Sequence, residues 1–281
     1  MLTRTDRVAL AVADADAAAS SINDVFDSVV VDDQRDSATN ARRVTLQWGR
    51  DHLELMEPLG DGAVSRFLAE GKRGAFAGGY SSADPGAVAE RLRRAGVAVS
   101  EEGDRFTVFP HDLSGTGVIL SPESSHERVG LNDKLWQITY VVPDMEAAIS
   151  RYSALFGIED VFTSRYDSDV WGYHAAVTWF DARDGGLLDS LEYLEPFEAD
   201  KAAGRFLSRS NGIGGIYMVS IETDDIAALR DRVSDTGGGW ESAPGNEHIG
   251  FIHPRRTAGL LMGVVTYERY AAGRALPPTE G

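Results

Sequence analysis

Cysteine is absent from this 281-residue chain. Disulfides, thiolate nucleophiles and thiolate-ligated metals are excluded together, and a reducing compartment suits it. Basic residues are scarce: 27 Lys and Arg stand against 44 Asp and Glu, a formal net charge of -17. Such a surface repels phosphate backbones and anionic lipid, so neither nucleic acid nor a membrane is expected as a partner. An anion held by a local arginine is still allowed. Long apolar runs are missing too; none approaches the ~20 residues that span a bilayer. Asp6, Arg7, Asp14 and Asp16 interrupt the apolar residues at the N-terminus, which is unlike a signal peptide. A cytoplasmic, bacterial-type protein is the expectation. There is no Gly-Lys-Ser/Thr phosphate loop, and Asn211-Gly-Ile-Gly-Gly lacks the context of a nucleotide loop. No cofactor is implied.

What is present is a soluble, globular mixture, 43% hydrophobic and 25% charged, long enough for two domains. It is also repeated. Val8-Ala9-Leu10-Ala11-Val12 falls on Ile138-Thr139-Tyr140-Val141-Val142, and Asp14 falls on Asp144, at an offset of 130. Leu53-Glu54 then falls on Leu191-Glu192, Glu57-Pro58 on Glu195-Pro196, and Arg66-Phe67-Leu68 on Arg205-Phe206-Leu207, at offsets of 138 to 139. Order is kept while the offset drifts, so the second copy has a longer loop.

Each copy opens with a β-rich run, then an Ala-rich helix with Asp14 or Asp144 in N-cap position. A hairpin follows, Arg43 to Trp48 with His52 to Glu57, or His174 to Ala182 with Leu187 to Glu195. The turns are Gly49-Arg50-Asp51 and Arg183-Asp184-Gly185-Gly186. A second βα unit ends its helix at Gly96 or Gly237, and a strand pair closes the copy. The expected boundaries are a first module over 1–124, a linker over 125–133, a second module over 134–270 and a weakly ordered tail over 271–281.

The runs Val-Ala-Leu-Ala-Val-Ala-Asp, Leu-Glu-Leu-Met-Glu-Pro-Leu, Trp-Gln-Ile-Thr-Tyr-Val-Val-Pro-Asp and Leu-Glu-Tyr-Leu-Glu-Pro-Phe resemble the vicinal oxygen chelate superfamily. It includes glyoxalase I, bleomycin-resistance proteins, methylmalonyl-CoA epimerase and extradiol dioxygenases. The resemblance implies an α+β fold: tandem βαβββ modules whose curved mixed sheets face one another around a central cleft. It also implies metal ligands, usually His, Glu or Gln, His and Glu, on four strands of a module. The matching positions here are Arg7, Glu54, Ala77 and about Ser121 in the first copy, and Gln137, Glu192, Gly215 and Gly263 in the second. A divalent site needs three or four converging N or O donors. Metal-dependent glyoxalase or dioxygenase chemistry is therefore not expected.

Strand alternation puts Leu53 and Leu55 on one face and His52, Glu54 and Met56 on the other, the cleft face. Val44, Leu46 and Trp48 mark the core side of the preceding strand, leaving Thr45 and Gln47 in the cleft. In the second copy Val177 and Trp179 are assigned to the core, so His174, Thr178 and Phe180 would join Glu192 in the cleft. The candidate acids and bases are Glu54, Glu192, His174 and His253, the carboxylates raised toward neutrality by burial. Arg7, Gln47, Gln137, Tyr217 and Arg255 are the candidate substrate contacts. The repeated Glu57 and Glu195 are expected to be structural.

Two functions fit. One is a metal-independent isomerase or lyase that moves protons on a small, partly aromatic or carbonyl-bearing molecule. The other is a bleomycin-resistance-like protein that sequesters a drug or natural product unchanged. A small molecule is the expected partner in both, and self-association as a homodimer stays open.

Overall fold

A computed structural model describes residues 1–113, 115–158, 162–180, 189–243 and 245–266. The second copy's hairpin turn at Arg183 to Gly186 and the tail over 271–281 lie outside the described residues. The first copy comprises β1 (Leu2–Ala11), α1 (Ala15–Phe26), β2 (Val29–Asp36), β3 (Ala41–Trp48), β4 (Asp51–Pro58), α2 (Ala63–Ala69), β5 (Gly74–Ser82), α3 (Pro85–Arg94), β6 (Ser100–Glu102), β7 (Arg105–Val108) and β8 (Gly117–Pro122). The second comprises β9 (Leu135–Val141), α4 (Met145–Phe156), β10 (Thr163–Ser168), β11 (Tyr173–Trp179), β12 (Ser190–Pro196), α5 (Ala202–Arg209), β13 (Gly215–Glu222), α6 (Ile226–Asp235), β14 (Trp240–Ala243), β15 (Asn246–Ile252) and β16 (Leu261–Val265). The βαβββ order thus occurs twice within each copy. Each copy is one curved, mixed, eight-stranded sheet, β2-β3-β4-β1-β5-β8-β7-β6 and β10-β11-β12-β9-β13-β16-β15-β14.

Local chemistry places the helices. Asp14 and Asp144 each accept the N–H three residues on, from Ala17 and Ala147, and start α1 and α4. Glu57 and Glu195 add a second acceptor, for the N–H groups of Ala15 (3.1 Å) and Met145 (2.8 Å). The repeated Glu-Pro therefore anchors a helix start to a strand end, and its structural role is borne out. α3 and α6 give way to Gly96 and Gly237 at φ of 81° and 74°, the left-handed conformation that glycine adopts without penalty.

Leu10, Leu53, Leu55, Ile138, Tyr140, Leu191 and Tyr193 point to the helix-covered faces and join one core that spans both copies. α1 packs on α6 and α3 on α4 within it. β5 approaches the second copy closely at Gly78, where a Cβ would lie 2.5 Å from Ile138 Cδ1. The Tyr80 and Tyr140 hydroxyls are hydrogen-bonded across this boundary. The copies therefore share a core at their backs, and their concave faces form two separate cups. This corrects the expectation that Glu54 and Glu192 look at each other across one cleft: the apolar surface available for burial between copies lies on the helix side.

The chain between the copies is stitched down, not free. Gly49 and Val129 exchange two backbone hydrogen bonds, and Gln47 donates to the Glu127 and Gly49 carbonyls. Gln47 is thereby a linker contact and no longer a substrate contact. No helix among the described residues is long and apolar enough to cross a membrane.

Candidate functional site

The two cups differ in what surrounds the one repeated carboxylate. In the first, Glu54 is 2% exposed and takes a bidentate pair from Arg105 (2.7 and 2.6 Å) and a third bond from Arg7 (3.1 Å). Arg7 also meets Asp6 and Ser121, and its stem lies flat over Gly79, where a Cβ would sit 1.7 Å from Arg7 Cγ. Burial by itself would raise the Glu54 pKa; Arg105, then Arg7 and Arg43, overcome this and hold it far below the usual carboxylate range. Glu54 is therefore a fixed anion, contrary to the expectation of a carboxylate raised toward neutrality. The rest of this cup is filled: α2 inserts Ala63, Val64 and Phe67 against Ala9, Met56, Phe76 and Ile119.

In the second cup the two described positions that match Arg7 and Arg43 hold no guanidinium. The counterpart of Arg7 is Gln137. The position opposite Leu194 on β11 is Ala175, where Arg43 stands opposite Met56 in the first copy. Glu192, 6% exposed, accepts from the hydroxyls of Thr139 (2.7 Å) and Tyr166 (2.7 Å). Tyr166 gives its only proton to Glu192, and the β10–β11 register sets Tyr173 on the same face, next to Tyr166 and level with Ser168. Tyr166 thus stands between Tyr173 and a buried carboxylate.

Tyr173 lines a cavity of about 660 Å³ in this cup, with Leu194, Phe206, Tyr217, Met218 and Phe251. Trp171 and Phe251 meet edge-on at its mouth, their centroids 6.2 Å apart. Phe67, Lys72 and Arg73 of the first copy complete one wall. Burial, followed by the charge of Glu192, raises the Tyr173 phenol well above its ordinary pKa, and burial raises that of Tyr217. Both are neutral donors at physiological pH. The cavity can therefore offer a phenol hydrogen bond from Tyr217 to an oxygen, with Tyr173 on the path to a carboxylate that can receive a proton.

The sequence-derived candidates fall out as follows. Glu192 lies behind the cavity wall, and Tyr217 and His253 line the cavity. His253 faces Glu241 at 3.5 Å. Gln137 is 3% exposed and spent between strands, donating to Ser190 (3.1 Å) and accepting from Ser220 (3.3 Å). Arg255 is exposed and outside the cavity lining. His174 is a correction. The register pairs Val177 with Glu192 and His174 with Glu195, so Val177 and Trp179 share the cup face and His174 the opposite one. There it bonds Asp167 at 2.7 Å and packs on Phe197. Apolarity misled the assignment, because the second cup is itself apolar and the neighbours Ala175 and Ala176 are alike in size and character. Tyr166 and Arg105 stand on β10 and β7, strands for which the sequence reading names no residue. The alternation Ser164, Tyr166, Ser168 was the available signal for the first.

The family's metal ligands find no fit in the second cup. The row level with Glu192 reads Thr139, Met218 and Leu261, and the row level with Gln137 reads Ser190, Ser220 and Gly263. One carboxylate, already accepting from two hydroxyls, and one amide held by two serines are a poor donor set for a divalent cation. Among the described residues no group of three or more His, Asp and Glu is placed to hold a metal ion.

Comparison with known proteins agrees with the fold. Residues 136–252 match the model of the Glyoxalase/Bleomycin resistance protein/Dioxygenase superfamily. An ethylmalonyl-CoA/methylmalonyl-CoA epimerase of Cereibacter sphaeroides is 29% identical over 135 residues, 46% of this chain and 94% of that protein. A variant of 4-hydroxymandelate synthase from Streptomyces coelicolor superposes over 95% of this chain and 93% of its own at a TM-score of 0.71, with 16% identity. Methylmalonyl-CoA epimerase from Mycobacterium tuberculosis covers 51% of this chain and 94% of its own, at 21% identity and a TM-score of 0.43. With its repeated eight-stranded cups, the chain has the tandem-module fold of the vicinal oxygen chelate superfamily, and its second copy is similar in sequence to that superfamily's family model.

Proposed function

We propose that this chain is an enzyme that moves protons on a small carbonyl-bearing molecule, an isomerase or lyase working in the second cup without a metal at the family position. The placement of Tyr166, which donates to Glu192, beside the cavity-lining Tyr173 carries the proposal. A substrate C–H beside a carbonyl is acidified when Tyr217 donates to the carbonyl oxygen, since a preorganised donor stabilises the developing oxyanion. The proton passes to the Tyr173 oxygen as the Tyr173 proton moves to Tyr166 and the Tyr166 proton to Glu192. Return of the proton by the same path to another carbon of the enolate completes an isomerisation; loss of a leaving group completes an elimination. The first cup, closed by Phe67 and the Glu54–Arg105 pair, has a structural part.

The relative named for epimerising ethylmalonyl-CoA and methylmalonyl-CoA supports proton removal beside a carbonyl, and those two thioesters are the first compounds to try. The test is solvent deuterium wash-in, read by mass spectrometry. Glu192→Gln should slow exchange at least a hundredfold while leaving affinity within tenfold. Unchanged exchange in that variant removes Glu192 from the mechanism. The aromatic, largely apolar lining of the cavity also suits a sequestering protein, which would retain a compound with no exchange at all.

A further inference from the structure

The mouth of the second cup gathers three arginines that carboxylates among the described residues leave unpaired. In a protein with 44 acidic and 27 basic residues, most arginines can find a carboxylate, and many here do. Arg73, Arg205 and Arg209 all line the cavity, and none has an ion-pair partner among the described residues. Arg73 donates to the Leu68 and Lys72 carbonyls, and Arg205 to that of Asp200. Lys72 beside them is paired with Glu70 at 2.7 Å, and the remaining wall carboxylate, Glu241, lies 3.5 Å from His253. Arg205 and Arg209 stand one turn apart on α5, so like charges face each other at a spacing that destabilises a helix. Both also bear on the Tyr217 phenol.

We infer that the substrate of the second cup is an organic anion, whose carboxylate or phosphate group is held by Arg205 and Arg209 with Arg73 opposite. This deepens the reading of the second cup as the active site and rests on it. A guanidinium pair matches a planar or tetrahedral oxyanion with parallel N–H bonds. The apolar walls formed by Phe206, Phe251 and Met218 take the uncharged body, and the anchored end sets which carbon meets Tyr173. Arg73 comes from the first copy. A module whose own cup is closed thus contributes to the site of the other.

The test is isothermal titration with phenyl phosphate, phenylacetate and neutral phenylacetamide, on the wild-type chain and on the Arg205→Gln/Arg209→Gln double variant. Glutamine keeps the helix and removes the charge, and circular dichroism checks the fold. At least one anion should bind tenfold or more tighter than the amide, lose tenfold or more in the double variant, and weaken as salt is added. Arg94→Gln, a charge change on distant α3, should stay within twofold. The phosphate and carboxylate arms decide which oxyanion the pair prefers. Equal binding of amide and anions, no saturable anion binding, or undiminished anion binding by the double variant overturns the inference. The two readings fail separately. Arginine-dependent anion binding with an unaffected Glu192→Gln variant keeps the anchor and removes the relay. Loss of exchange in Glu192→Gln with arginine-independent binding does the reverse.

Discussion

The Asp51 carboxylate, at the start of β4, accepts the backbone N–H of Leu135 at 2.7 Å, where the second module's first strand begins. Its counterpart Asp189 accepts the N–H of Thr5, on β1, also at 2.7 Å. Each module thus anchors the first strand of the other through an equivalent aspartate, a reciprocal clasp made by the repeat itself.

The clasp makes stability depend on pH. Burial, only partly countered by Arg4 and the Leu135 N–H, raises Asp51 to about 7. Burial, partly countered by Lys134 and the Thr5 N–H, raises Asp189 to about 6. Between the ordinary carboxylate pKa and these raised values the folded chain binds more protons than the unfolded one. Stability from this source is therefore full at low pH, falls as pH rises toward about 7, and is level above it. Calorimetry from about pH 5 to about pH 8 should show the wild type losing more Tm than the Asp51→Asn/Asp189→Asn variant over that window. Parallel curves would remove the clasp as the cause.

Glu54 and Glu192 should separate stability from activity. Glu54→Gln leaves Arg105 and Arg7 facing each other without their shared anion, and breaking one side of a buried pair costs about 3–5 kcal/mol. The expected loss of Tm is on the order of 10 °C for a chain of this size. Glu192 meets neutral hydroxyls at the two bonds described, so Glu192→Gln should cost about 1–2 kcal/mol and most of the turnover. Similar melting curves for the two variants would contradict the assignment of one cup to structure and the other to chemistry.

The relay makes a graded prediction. Tyr166→Phe removes the link between Tyr173 and Glu192 and should lower turnover by roughly 10²-fold, the scale of a lost acid–base group. Tyr173→Phe, which removes the group facing the cavity, should lower it at least as far. Each should change stability by about 1 kcal/mol, one hydrogen bond's net worth. Full activity in both variants would leave the carboxylate without a path to the substrate.

The paired helix anchors give a purely structural prediction. Glu195→Ala should cost about 1 kcal/mol, the scale of a lost helix cap, and leave exchange chemistry untouched because it acts at the far face of β12. Thermal melts and deuterium wash-in on the same sample would check it. A large loss of exchange with an unaltered Tm would give Glu195 a role the structure does not show.

Much of the fold was legible in the chain because it depends on short-range pattern. The offset repeat, the Asp14 and Asp144 caps, the glycines that end α3 and α6, and the cup-facing side of Glu54 all follow from spacing and alternation. The sequence also showed that the repeated carboxylate survives while the other ligand positions do not. Tertiary structure decided the rest. Only packing reveals that the modules join at their helical backs, because either face of an amphipathic sheet could in principle meet a partner. Only the register of β11 against β12 puts Val177 and not His174 beside Glu192. Glu54 is silenced by Arg105, about fifty positions away, and Glu192 is reached by Tyr166 from across an intervening strand. What a buried carboxylate can do depends on which groups the fold brings to it, and those groups lie far from it along the chain.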